Sequence, residues 1–332
     1  MPRIALMEDY LDHARTLACV QQLAQRAELQ IHTTRAASED ELVARLAGVD
    51  AVITIRDRVL FSAAVLERLR GVQLIAVCGP RLAPHIDLPA ATRAGILVAA
   101  AHANEVPRLI HRATAELNWS LILGLAKGLP DNDANTRRGA WQQRLPLGLA
   151  GKTLGVVGIG KVGAVVTAIG VAMGMRVIAW SPRLTPERAA GHGAEAVPLD
   201  VLLREADVVS LHANLTPEST GMIDADALAS MKPGALLVNT ARAALIDEAA
   251  LRTALQRGAL VGVGLDVYWQ EPLPAGHWLT TEPRALLAPH LGGFTHEGYA
   301  YLVPPAVETV LAYLDGRPIA AANPEAAAAR GR

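Results

Sequence analysis

Residues 153–175, TLGVVGIGKVGAVVTAIGVAMGM, constrain the fold more than any other stretch. A short apolar run, strand-like in length, ends in Gly158, Gly160 and Gly163, and a helix-compatible run follows. This is the G-x-G-x-x-G arrangement of strand, tight turn and helix start. The first glycine permits the turn, the second lets the backbone approach a pyrophosphate, and the third lets helix and strand pack closely. The helix N-terminus then offers free N–H groups and a positive dipole end to an anion.

The rest of the chain alternates in the same way. A first series has strand-like runs at 3–7, 28–34, 50–55, 72–79 and 96–101, with helical stretches at 11–27, 38–48 and 62–70 between them. Ser38 and Glu41 stand at capping-box spacing. A long helical candidate covers 105–129, and the polar stretch 130–148 reads as an irregular linker or arm. A second series starts at Lys152, with strands near 176–181, 206–212, 234–240 and 261–268, and a final helix covers 297–315. Strands alternating with helices predict parallel sheets covered by helices, an α/β architecture.

Composition narrows the function. With 332 residues, 51% of them hydrophobic, the chain can build two domains with substantial cores. A net charge of −1 gives no footprint for nucleic acid or an anionic membrane, and 4% aromatics supply no base-stacking platform. Cys19 and Cys78 make no disulfide framework, and no zinc-type spacing exists, so no metal is expected. Acids by residue 8 and apolar runs too short for a bilayer lead to the expectation of a soluble cytoplasmic protein.

Polar residues cluster where apolar runs end. An acidic residue at the end of the second strand normally binds the ribose 2′-hydroxyl; here Ser181 stands in its place and Arg183 follows, which points to NADP over NAD. Arg242 follows the run 234–240, Asp266 ends the run 261–266 with Glu271 five residues on, and His290 precedes Gly292 and Gly293. An arginine fork suits a carboxylate, a histidine can exchange a proton with a carbonyl or hydroxyl oxygen, and a neighbouring carboxylate favours the imidazolium.

These stretches together resemble the D-isomer-specific 2-hydroxyacid dehydrogenases, the family that includes phosphoglycerate, formate, D-lactate and glyoxylate/hydroxypyruvate enzymes. The resemblance is carried by LAGKTLGVVGIGKVG, LHANLTPESTGMID, MKPGALLVNTARAALIDEAAL, LDVYWQEPLP and PHLGG. It implies two doubly wound parallel-sheet domains, a Rossmann cofactor domain (104–293) inserted in a split flavodoxin-like substrate domain (1–103 plus 294–332), with chemistry in the cleft between them. It also implies a catalytic set Arg242, Glu271 and His290. Cofactor contacts would come from Gly158, Gly160, Lys161, Val162, Gly163, Ser181, Asn214, Thr240, Ala241, Asp266 (to the nicotinamide carboxamide), Gly292 and Gly293. The implied reaction is hydride transfer between NAD(P) and a small 2-keto or D-2-hydroxy acid, in a homodimer joined through the cofactor domains, with the 130–148 arm as a candidate contact.

The chain departs from the family at three places. The substrate loop, usually G-x-G-x-x-x-I-D, reads CGPRLAPHID at 78–87: Gly79 is kept, the second glycine is missing, and Pro80 and Pro84 lack N–H donors. Arg81 and Arg56 are candidates to supply substrate contacts in compensation. Residues 101–119 also begin unusually, and Ala243 follows the arginine where glycine is usual. These departures keep two alternatives open, an oxyanion dehydrogenase of the phosphite type and a weakly catalytic NAD(P)-sensing protein on the same fold.

Overall fold

The computed structural model describes residues 1–79, 82, 85–100 and 108–329. Its chain groups into two units, Met1–Pro107 with Thr295–Arg332, and Arg108–Phe294. Candidate residue Arg81 and the stretch 101–107 lie outside the described residues.

The first unit is built on β1 (Arg3–Met7), β2 (Glu28–Ile31), β3 (Ala51–Ile55), β4 (Leu74–Cys78) and β5 (Leu97–Ala100). All pairs are parallel, in the order β2-β1-β3-β4-β5, which is the flavodoxin-like order. Every residue of β3 and β4 is buried, as expected for central strands of a sheet covered on both faces. Leu42, Val65 and Ala90, each from a different helix, pack against Val52, Ile75 and Val77. The helix His296–Leu314 packs on β3, β4 and β5.

The second unit holds β6 (Thr153–Val157), β7 (Arg176–Trp180), β8 (Glu195–Ala196), β9 (Val208–Leu211), β10 (Ala235–Asn239), β11 (Leu260–Leu265) and β12 (Ala285–Leu287). They form one parallel sheet in the order β12-β11-β10-β9-β6-β7-β8. The order reverses between β6 and β9, the switch point at which a Rossmann sheet opens its dinucleotide crevice. The helix Arg108–Lys127 covers β10 and β11 with an apolar stripe that includes Trp119, Leu121 and Ile122. Its Trp119 Nε1 donates to the Val166 carbonyl at 3.2 Å, which fixes it to the helix Lys161–Ala172.

The stretch 130–148, expected to be irregular, begins as a helix, Leu129–Arg137. It has no buried residue, so hydropathy gave no period to read. Pro130 in its first turn pre-sets a helical φ, and Arg137 pairs with Asp133 one turn back at 2.8 Å. The segment after it returns to the long helix through Leu147 N–H to Ala126 O at 2.7 Å.

The contact that locks strand to helix in this unit is at Gly163. A Cβ there would stand 2.1 Å from the Gly158 carbonyl oxygen, a backbone atom that cannot swing aside. Gly163→Ala should therefore lower the unfolding free energy by about 1–3 kcal/mol. The measurement is the urea midpoint, and a midpoint equal to wild type would mean that the loop has room for a methyl group.

Candidate active site

The crevice side of the second unit starts at the glycine loop. Gly158 has φ +100°, and a Cβ on it would lie 2.7 Å from the backbone of His212 and Ala213. Gly160 is the N-cap of the helix Lys161–Ala172 and supplies no side-chain cap. The N–H groups at Lys161, Val162 and Gly163 therefore have no capping side chain, and a Cβ on Gly160 would meet nothing within 4 Å. Open space in front of uncapped donors at a positive helix end fits a dinucleotide pyrophosphate. Ser181, just past β7, accepts the Ile159 N–H at 3.0 Å through Oγ. Its acceptor side thus serves the glycine loop, and its O–H proton is left to donate. Arg183 is exposed, and its carbonyl takes the Arg188 guanidinium at 3.1 Å. Asn214 is exposed too, with its carbonyl held by Ser219 Oγ at 2.7 Å.

The candidate catalytic residues leave the carboxyl ends of three successive strands, β10, β11 and β12. His290 sits on the turn after β12 in a left-handed conformation, φ +55°. Its Nδ1 meets Glu271 Oε2 at 2.6 Å, and Glu271 Oε1 in turn accepts the Tyr268 N–H at 2.9 Å. The Tyr268 hydroxyl donates to the carbonyls of Leu265 and Ala288, at 3.2 and 2.9 Å, joining the ends of the two strands that carry this pair. With Nδ1 committed to the carboxylate, Nε2 is the ring nitrogen left for proton transfer. Arg242 is half-buried, in extended backbone just past β10, and its Nη1 donates to the Ala241 carbonyl at 2.7 Å. Ala243 opens a short 3-10 turn and is absent from the left-handed residues, so alanine fits there without backbone strain.

Asp266 does something the sequence did not reveal. Its two carboxylate oxygens accept the N–H groups of Leu291 and Gly292, at 2.6 and 2.9 Å. It braces the turn that presents His290. Burial outweighs those two donors and pushes the Asp266 carboxyl up to about 6. Gly292 is held from its other side by Thr114, whose hydroxyl donates to its carbonyl at 2.6 Å, and Gly293 is buried beside it. Thr240 Oγ1 accepts from Asn118 Nδ2 at 3.3 Å. The chain continues through the buried Ser210 to the half-buried His212, Nε2 at 2.9 Å, and desolvation of the ring lowers that imidazole to about 3, so it stays neutral. Thr114, Asn118, Ser210, His212 and Tyr268 were missed from the sequence; Asn118 alone left a trace, as the polar residue in an apolar helix stripe.

In the first unit, Arg56 and Gly79 adjoin at the carboxyl ends of β3 and β4. Arg56 is left-handed at φ +54°, its N–H donates to the Cys78 carbonyl at 3.2 Å, and Gly79 has φ +146°. A Cβ on Gly79 would lie 3.6 Å from Arg56 Cγ. Among the described residues there is no group of three or more His, Cys, Asp or Glu side chains able to hold a metal. None of the described helices is long and apolar enough to cross a membrane.

Fold and site together define an α/β dinucleotide-binding protein with an imidazole–carboxylate pair at the strand ends. Residues 119–292 match the family pattern of the D-isomer specific 2-hydroxyacid dehydrogenase NAD binding domain. A D-3-phosphoglycerate dehydrogenase from Pongo abelii is 33% identical over 297 residues, covering 89% of this chain and 53% of that protein. One from Synechocystis is 34% identical over 298 residues, covering 89% and 52%. This chain thus spans about half the length of the curated relatives it matches. Among solved structures, a phosphoglycerate oxidoreductase from Vibrio cholerae superposes with TM-score 0.88 at 31% identity, over 95% of this chain and 100% of that one. The apo D-lactate dehydrogenase of Escherichia coli gives TM-score 0.79 at 27% identity, over 96% and 98%. The chain belongs to the D-isomer specific 2-hydroxyacid dehydrogenase family.

The Asp266 environment has a pH signature. An acid raised from 3.8 to about 6 binds its proton more tightly folded than unfolded, so its contribution to stability is lost as pH rises through that window. Urea melts across the window should show wild type losing stability relative to Asp266→Asn as pH rises; parallel pH profiles would count against the shift.

Proposed function

We propose that this chain is an NAD(P)-dependent oxidoreductase that interconverts a small 2-keto acid and the D-2-hydroxy acid. The observation that carries it is the His290–Glu271 pair at 2.6 Å, presented from the same sheet edge as Arg242 and fed by a dinucleotide loop. A nicotinamide dinucleotide held at the loop 158–163 would supply the hydride for the carbonyl carbon, or accept it in reverse. Arg242 binds the substrate carboxylate and orients the carbonyl. His290 Nε2 gives the proton to the carbonyl oxygen, and Glu271 stabilises the imidazolium and fixes its ring. Reduction therefore fades as pH rises and hydroxy-acid oxidation fades as pH falls. Arg56 and Gly79 are further substrate contacts in this reading. Thr240, Ala241, Gly292 and Gly293 would contact the cofactor through their backbone, and Asn214 would flank it.

For the cofactor we favour NADP. The Ser181 hydroxyl has a proton to donate and stands where the sequence pattern would put an acid, so it suits a phosphate acceptor, with Arg183 as the charge. We also propose a homodimer with the 130–148 arm as a contact, supported by Trp141 and Leu145, which expose 74% and 92% of their surface. The free thiols Cys19 and Cys78 suit a reducing, cytoplasmic setting.

The test is steady-state oxidation of reduced cofactor with glyoxylate, hydroxypyruvate, pyruvate and bulkier 2-keto acids, with phosphite oxidation in parallel. A 2-keto acid should turn over, and His290→Ala should lower kcat by about 10²–10⁴-fold. Near-wild-type turnover in His290→Ala, or cofactor binding with no turnover on any substrate, would sink the assignment. A separate comparison settles the cofactor. Ser181→Asp and Arg183→Ala should each lower kcat/KM with NADPH and spare NADH; a wild-type preference for NADH would reverse the NADP assignment.

A further inference from the structure

The turn that carries Arg242 is shaped by two side chains that meet no solvent. Asn239 closes β10 and is 0% exposed. Its amide oxygen accepts the Ala241 N–H at 2.9 Å, and its amide nitrogen donates to the Arg242 carbonyl at 2.9 Å. On the other side, Asn118 is also 0% exposed, and it ties Thr240 Oγ1 to Ser210 Oγ at 3.3 and 2.9 Å. Three consecutive residues, 240 to 242, are thus each held by a buried amide.

A chain that only had to leave the sheet would not need this. A buried amide costs free energy unless both its ends are paired. Asn239 commits both ends to the same three-residue turn, on either side of the Ala241–Arg242 peptide. Arg242 emerges with φ −143° and ψ 135°, which sets where its Cβ points. The far end of its side chain returns to the Ala241 carbonyl at 2.7 Å, so root and tip of the arginine rest on one bracketed peptide.

We propose that Asn239 is a positioning residue for the reaction, acting through Arg242: its amide fixes the turn so that the guanidinium stands ready for the substrate carboxylate. This rests on the role given to Arg242 above. Asn118 backs the same turn through Thr240.

The experiment measures kcat and KM for the preferred keto acid, and the Kd of reduced cofactor by fluorescence, in Asn239→Ala, Arg242→Lys and the double variant. Asn239→Ala should lower kcat/KM by about 10²-fold, the scale expected when a substrate-orienting group is misplaced, with a much smaller rise in cofactor Kd, since the same turn carries Ala241. The double variant should be no worse than Arg242→Lys, because the amide has then lost the group it positions. Should Asn239→Ala fail to fold, Asn239→Asp keeps the shape and the acceptor but loses the donor, and the same pattern is expected. Losses that multiply in the double variant overturn the proposal, since Asn239 then acts without Arg242. A cofactor Kd that rises in step with the loss also overturns it, since the amide then acts through the cofactor contacts of the turn and not through Arg242. Wild-type kcat/KM in Arg242→Lys would instead remove Arg242 from its role, read from a protein in which Asn239 is intact.

Discussion

A parallel sheet covered on both faces leaves its polar side chains one outlet, the edge where the strands end. In the second unit the strands β9 and β10 are buried throughout, so whatever must carry charge or exchange a proton is driven to the carboxyl edge. Backbone groups released there need partners as well, because water does not reach them freely. The same edge therefore holds two kinds of polar residue. Some face outward for chemistry, and others sit behind them to satisfy the backbone.

Asn239 and Asp266 are the second kind, and they solve a shared problem with different chemistry. The turn after β10 presents both an N–H and a carbonyl, so an amide with one acceptor and one donor matches it. The turn after β12 presents two N–H groups, and a carboxylate with two acceptors matches that. Exchanging the two side chains would leave each turn with a mismatched partner. The cost in the second case is visible in the carboxyl's upward displacement, which burial imposes on any lone acid there.

Much of this was legible in the sequence. The strands and the glycine loop could be read because they are contiguous, apolar and punctuated. Arg242 and His290 could be singled out because a polar residue just past an apolar run is conspicuous, and Glu271 because it follows Asp266 closely and the family resemblance implies it. What stayed hidden depends on contacts between residues far apart in the chain. Nothing in the residues near 181 says that the serine oxygen turns back to Ile159. That Asp266 braces the turn of His290 was hidden too, since its partners lie 25 and 26 residues away on another turn. The helix Leu129–Arg137 escaped because it buries no residue, and local pairing and a proline hold it without an apolar face. Arg81 lies outside the described residues.

The left-handed backbone at His290 carries an evolutionary corollary. Besides glycine, the side chains most at ease in that conformation are asparagine and aspartate. Neither titrates near neutrality, so neither replaces an imidazole as a proton donor. One codon change could thus give a descendant that folds, keeps its glycine loop and has lost its chemistry. A lineage built on this edge can shed catalysis and retain nucleotide recognition, which is a short path from enzyme to sensor.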